Sequence, residues 1–353
     1  MPIRLISASR RTDIPAFYGD WFMNRVRAGW CAVPNPFNAR QVSRVEFVPG
    51  ETVIVFWTRW PAPFLRHLDE LTERGFAFYF LYTLVDYPRP LEPQAPLCDK
   101  SLAVFRRLAE RIGPERVIWR YDPIVLSAAM DADFHRERFA RIAQRLQGST
   151  TRVVISIANH YAKLRGRLRE LAAAHPELAP RPFDAGGDGG NGLGGKTASQ
   201  ASSGVGSETA SSAGNATQSQ IGRDGALIQD LAHLAGEHGL EIRGCAEEFD
   251  LRRWGVQPGK CIDDELIRRL FQLPAPTRKD KSQRAVCGCV ESRDIGMYDS
   301  CLFGCVYCYA TRSFATARHN HAHHDPHAES LIGDYRAPPP VTRSSAPLPS
   351  PAL

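Results

Sequence analysis

Six short apolar runs recur along the chain: Arg4–Ser9, Thr52–Thr58, Phe76–Leu84, Arg116–Ile124, Arg152–Ala158 and Leu240–Ala246. They are rich in β-branched and aromatic residues and alternate little, as expected of parallel strands covered on both faces. Between them the apolar positions take helical spacing. In Asp99–Gly113, Leu102, Phe105, Leu108, Ala109 and Ile112 fall on one face, and Gly113-Pro114 is a stop signal. Asp133–Gly148 repeats the pattern, with Asp133 as the expected cap and Phe139, Ile142, Ala143 and Leu146 inward. A third helix carries Leu227, Ile228, Leu231 and Leu234. Cys31–Phe47 reads as an inserted hairpin or irregular strand. The repeated strand–helix alternation predicts an α/β fold, a (βα) barrel of TIM type, complete or partial, with an open doubly wound sheet as the alternative.

Two stretches break the pattern. Asp184–Gly222 is almost all Gly, Ser, Ala and Thr, and cannot bury enough apolar surface to offset the entropy of ordering. Ala337–Leu353 is Pro-rich and is expected to be disordered as well. The expected organisation is therefore a first barrel part over 1–183, a flexible insertion over 184–222, a last barrel part over 223–274, a Cys-rich segment over 275–336 and a tail over 337–353.

The chain has no apolar run near the ~20 residues of a membrane span and no visible secretory signal, so a cytoplasmic, non-membrane protein is expected. In that reducing compartment its nine cysteines are better read as metal ligands or reactive thiols than as disulfides. A formal charge of +6 permits an anionic partner without requiring one.

Barrel enzymes carry their working residues just past the C-terminal strand ends, and those positions here are polar. The first run is followed by Ser7, Ser9, Arg10, Arg11, Thr12 and Asp13. Later ones bring Thr58 and Arg59, Tyr82 and Thr83, then Arg120, Tyr121 and Asp122. Ser156, Asn159, His160 and Tyr161 follow the fifth, and Cys245, Glu247 and Glu248 the sixth. Any one of these could simply cap the next helix; as a set they suggest a binding mouth. Arg10, Arg11 and Arg120 suit a carboxylate or phosphate, because guanidinium is a planar two-pronged donor.

The densest chemistry is late, in "DSCLFGCVYCYA" (Asp299–Ala310). Cys301, Cys305 and Cys308 can place three thiolates on one cuboidal iron–sulfur cluster if the loop curls tightly, which Gly304 eases. A second set, Cys245, Cys261, Cys287 and Cys289, could hold an auxiliary cluster or a zinc ion, or lend the first cluster its fourth ligand. Cys31 and Cys98 read as ordinary buried thiols. The His-rich "HNHAHHDPH" (His319, His321, His323, His324, His327) reads as an exposed loop with incidental affinity for nickel or zinc. Arg278–Arg284 reads as a solvated basic turn with room for an anion-binding role.

C-x3-C-x2-C with Tyr307 before the last cysteine resembles the motif of radical S-adenosylmethionine enzymes, and "CVYCY" is similar to the version in spore photoproduct lyases. That resemblance implies a [4Fe-4S] cluster whose open iron chelates S-adenosylmethionine, and a reductant such as flavodoxin or ferredoxin. Together "SASRRTDIPAFY", "VIWRYDPI", "CAEEFDL", "GKCIDD", "KDKSQR" and "CGCVESRDIGMYDSCLFGCVYCYA" resemble the bacterial family grouped as domain of unknown function 1848, which lends no substrate. Radical enzymes place the cluster loop after the first strand, whereas here it comes last. A circular permutation reconciles the two: "VESRDIGMY" takes the place of a first strand and "RLISAS" that of the second. Ser9, Arg10, Thr12 and Asp13, with Tyr307, then stand where the cofactor would bind, and Arg10, Arg11, Asp13, Arg120 and Asp122 where substrate or cofactor would be anchored. The rivals are a non-catalytic electron-transfer cluster protein and a zinc-stabilised nucleic-acid-binding or repair protein.

Overall fold

The computed structural model describes residues 3–158, 162–185 and 222–339. Most of the Gly/Ser insertion and of the Pro-rich tail, together with Asn159, His160 and Tyr161, lie outside the described residues. The chain runs β1 (Arg4–Ala8), α1 (Ile14–Phe17), α2 (Gly19–Ala28), β2 (Trp30–Asn35), β3 (Asn38–Glu46), β4 (Thr52–Thr58), α3 (Leu68–Glu73) and β5 (Ala77–Thr83). It continues through α4 (Cys98–Ile112), β6 (Val117–Ile124), α5 (Ala132–Leu146), β7 (Arg152–Ile157), α6 (Arg165–Ala174), α7 (Arg223–Glu237) and β8 (Glu241–Cys245). β9 (Gln257–Gly259), α8 (Asp264–Phe271), β10 (Arg293–Asp294) and α9 (Phe314–Ala322) complete it.

Eight strands form one sheet in the order β10-β1-β4-β5-β6-β7-β8-β9, every pair parallel. Apart from β10 the order follows the chain without the reversal that marks a doubly wound sheet. The ring is not closed by pairing among the described residues: β9 and β10 are edges, approached across the gap by the Val290 N–H to Ile262 carbonyl bond of 3.2 Å. The inserted hairpin is β2 paired antiparallel with β3. β10 lies beside β1, with Ile6 opposite Arg293 and Ser7 opposite Asp294.

Because side chains alternate across a pleated strand, each run serves two cores. Ile54, Phe56, Phe78, Phe80, Trp119, Val153 and Ile155 face the helices, against Phe105, Phe139, Ile142 and Leu231. Ile3, Leu5, Val53, Val55, Tyr79, Leu81, Ile118 and Val154 form a second cluster on the other face, joined by Leu266 and Ile267 of α8. Such two-sided burial explains the near-continuous apolar runs. Asp263 caps α8 by accepting from Glu265 N–H and Leu266 N–H, and pairs with Arg152 at 2.8 Å, fixing the start of α8 to the start of β7. The cap of α5 is Asp131 rather than Asp133: its carboxylate accepts from Phe134 N–H, and Asp133 falls in the first turn.

Asp294 joins the C-terminal segment to β1. One carboxylate oxygen accepts from Ser7 Oγ at 2.6 Å and Arg10 N–H at 2.8 Å. The other accepts from Ser9 Oγ at 2.9 Å, Gly296 N–H at 3.0 Å and Arg11 Nε at 3.1 Å. Only glycine fits at 296, since a Cβ there would stand 1.9 Å from Ser9 Oγ. Replacing Asp294 by alanine strands buried donors and the Arg11 charge. Urea unfolding of Asp294→Ala should show a loss of about 3–5 kcal/mol; a loss under ~1 kcal/mol would mean the joint is dispensable.

Candidate functional site

The strand ends open into a cavity of about 450 Å³. Its lining brings together Ser9, Arg10, Arg11, Thr12 and Asp13 from the turn after β1, Arg120 and Asp122 from β6, Tyr307, and seven cysteines: Cys245, Cys261, Cys287, Cys289, Cys301, Cys305 and Cys308. Trp57, Thr58, Arg59, Thr83, Ser156 and the 282–284 turn complete much of the wall. That turn ends the basic run expected to be solvated with room for an anion-binding role, and Ser282, Gln283 and Arg284 edge the cavity.

The loop bearing Cys301, Cys305 and Cys308 is pinned at every side. Asp299 N–H donates to the Ala310 carbonyl at 3.1 Å, closing its neck. Val306 N–H donates to Leu91 O at 3.0 Å, Gln94 N–H to Phe303 O at 3.2 Å, and Arg167 Nη2 to Cys308 O at 2.6 Å. Gly304, at φ +70°, makes the turn between the first two cysteines. Tyr18 OH donates to Ser300 O at 2.6 Å, and Phe17 packs on Phe303 at 4.8 Å, so the segment after Asp13 props the loop from below. The His-rich stretch belongs to this support. α9 carries His319 and His321, and the rings of His321 and His324 meet Tyr18 edge-on at 5.5 and 4.8 Å. The expected exposed loop is therefore corrected to a helix and turn that pack on the site's frame.

Arg59 is the main charge beside these thiols. Its Nη1 lies 3.5 Å from Cys305 Sγ, while Nη2 meets Glu92 at 2.5 Å and Tyr307 OH at 3.2 Å; Tyr307 OH also donates to Glu92. Burial opposes the charge, but Glu92, Tyr307, Cys305 and Cys301 outweigh it and Arg59 stays cationic. Burial pushes the metal-free Cys305 thiol up to about 12 and raises that of Cys301 too.

The second thiol set is packed sulfur to sulfur. Cys245 Sγ and Cys261 Sγ are 3.2 Å apart, and Cys289 Sγ accepts from Cys261 N–H at 3.2 Å and Ile262 N–H at 3.4 Å. Arg120 Nη1 reaches Cys261 Sγ at 2.7 Å while its Nη2 pairs with Asp122, which also accepts from Ser156. Arg10 stacks over Trp57 at 5.0 Å and interacts with the Cys289 thiol, its Nη2 left without a hydrogen-bond partner of its own. The hydrogen bond from Cys261, aided by Arg120, draws the Cys245 thiol down to about 6, and Cys289 is lowered by Cys261, Cys287 and Arg10. Among the described residues no three His, Cys, Asp or Glu already stand as the ligand shell of one metal ion. The donor chemistry nonetheless suits thiophilic metal: sulfurs in a buried site with guanidinium counter-charges.

Several mouth residues are placed elsewhere. Tyr82 and Tyr121 point to the helical layer, bonded to Ser101 O and His135, because pleat parity puts them opposite Thr83, Arg120 and Asp122. Glu247 accepts from Ile157 N–H at 2.9 Å, and Glu248 is exposed. Cys31 is buried as expected, and Cys98 half-buried. Asp13 is first a structural acceptor, taking Ala16 N–H at 3.0 Å and Arg59 N–H at 2.6 Å. Glu92 was missed: it sits in a Pro-rich connection, "PRPLEP", where no periodicity marks it.

Two outcomes follow from these burials. Arg59→Met strands Glu92 and should cost about 3–5 kcal/mol in chemical denaturation, whereas adding Glu92→Leu should recover most of the loss; equal stability of single and double variants would refute the coupling. Burial raises the Asp13 carboxyl from 3.8 to about 6. A raised acid favours the fold while protonated, so that contribution is complete below pH ~4 and lost as pH rises through ~6. Stability measured from pH 4 to 7 should fall less steeply in Asp13→Asn; an identical slope would remove the assignment.

Searches among curated proteins and among solved structures found no match. Residues 5–182 and 200–310 match the family described as Domain of unknown function (DUF1848), which covers the β1 loop, both thiol sets and the strands between them. The chain belongs to that family.

Proposed function

We propose that the chain is an iron–sulfur protein in which Cys301, Cys305 and Cys308 hold a [4Fe-4S] cluster with one iron left open for S-adenosylmethionine, and that it acts as a radical-type enzyme. The observation that carries this reading is the pairing of a pinned three-thiol loop with the buried Arg59 guanidinium at 3.5 Å from Cys305 Sγ. Neutral thiols are poor acceptors for a buried cation, whereas metal-bound thiolates are good ones. Such a cluster, when bound, supplies the electron for reductive cleavage of a sulfonium.

The chain's own residues divide the remaining work. Tyr307 and Glu92 hold Arg59 against the sulfur. Ser9, Arg10, Thr12 and Asp13 form the wall assigned to the cofactor; Thr12 Oγ1 is buried there without a hydrogen-bond partner. Arg11 and Arg120 are held by Asp294 and Asp122, so they orient the wall more than they receive a ligand. Arg10 and the exposed Arg284 are the cations best placed to meet an anionic group, with no ion pair among the described residues. No helix among the described residues is long and apolar enough to cross a membrane.

Anaerobic reconstitution should give a brown protein with about four irons and four sulfides at the first site. Cys305→Ser should lose that iron. S-adenosylmethionine should change the electron paramagnetic resonance spectrum of the reduced protein and yield 5′-deoxyadenosine. An unaltered spectrum would leave an electron-transfer cluster, and a colourless zinc-loaded protein would overturn the iron assignment.

A further inference from the structure

The four thiols outside the first site stand where the eight-stranded sheet fails to close. Cys245 is the last residue of β8, Cys261 follows β9 by two residues, and Cys287 and Cys289 precede β10. β9 and β10 are the two edges of the sheet, three and two residues long. Among the described residues the backbone joins their flanks through Val290 N–H to Ile262 O, and Cys261 and Cys289 are the immediate neighbours of that pair. Edge strands this short expose unpaired backbone groups and fray unless covered or tied. All four sulfurs belong to the inner core with Ile262, Leu266 and Val290, or pack against it.

We infer that Cys245, Cys261, Cys287 and Cys289 bind a tetrathiolate metal centre whose role is to close the barrel, tying the β8–β9 edge to the β10–β1 edge. Four sulfurs around one ion at ~2.3 Å stand about 3.8 Å apart, and Cys245 and Cys261 are already at 3.2 Å. A small cluster would join the same three segments with the same chemistry. Arg10 and Arg120 lie against Cys289 and Cys261, offsetting the negative charge such a centre carries. A metal held this way cross-links segments separated by the α8 turn and the 272–286 connection, so the stabilisation falls on the edges and not on the middle of the sheet. The inference rests on metal binding by this set and is independent of radical chemistry at the first.

The test uses the full chain with Cys301, Cys305 and Cys308 all changed to alanine, which leaves the second set alone. Metal analysis for zinc, iron and sulfide comes first, then amide hydrogen exchange before and after chelation. Retained zinc, or retained iron with sulfide, supports the site; loss of all metal refutes it. Chelation should speed exchange at 257–262 and 290–295 about tenfold or more while β5 and β6 stay protected. Retained metal with no change at either edge would overturn the closure role and leave metal binding standing. Cys289→Ser in the otherwise native chain should reproduce the edge loosening; if it does not fold, the chelation result decides.

Discussion

A guanidinium taken out of water must be met by negative charge, and in this molecule three of them are aimed at sulfur. Arg59 reaches Cys305, Arg120 reaches Cys261, and Arg10 lies beside Cys289. Arg59 and Arg120 each keep a carboxylate on their other side, Glu92 and Asp122. The carboxylates account for the burial of the cations, and the sulfurs receive what polarising power remains. Were the cysteines only packing elements, apolar neighbours would serve them better. The charge arrangement is what the proposed ligand roles of both sets rest on.

The frame that aims these arginines is built from the turn after β1. Asp294 fixes the Ser9–Arg11 backbone, Asp13 grips Arg59 N–H, and Tyr309 OH donates to Arg10 O at 2.9 Å. The same turn therefore touches the first thiol loop through Tyr309 and the second set through the Arg10 side chain. Its rigidity is what allows two groups of cysteines, brought from distant parts of the chain, to share one cavity wall.

Much of this was legible in the sequence, for definite reasons. β4 to β7 announce themselves because both faces are largely buried, and β4 spans the expected Thr52–Thr58. The cysteines and the β1 turn are legible because their chemistry is dense and local. What could not be read were features decided at a distance. β9 and β10 are too short to carry a period, and Glu92 has no local signature. Tyr82 and Tyr121 were drawn into the mouth by nearness to strand ends, where pleat parity decides instead. Asp131 outcompeted Asp133 as a cap because the helix begins at Ala132, two residues before the Phe134 start that a cap at Asp133 implies.

The late position of the cysteine loop follows from sheet order. A parallel sheet registers neighbours in space and is indifferent to which strand was made first. Once the connection after β9 has filled the floor with α8, the last segment can return to the free edge of β1, where Ser7 pairs with Asp294. From there the chain climbs only a few residues before Cys301, so the loop emerges beside the β1 turn as it would if it preceded β1. The cost of this order is a seam between β9 and β10, because the connection between them carries α8 into the inner core and the two strands stay unpaired edges. That seam is where Cys261, Cys287 and Cys289 lie, which ties the unusual chain order to the second thiol set by geometry alone.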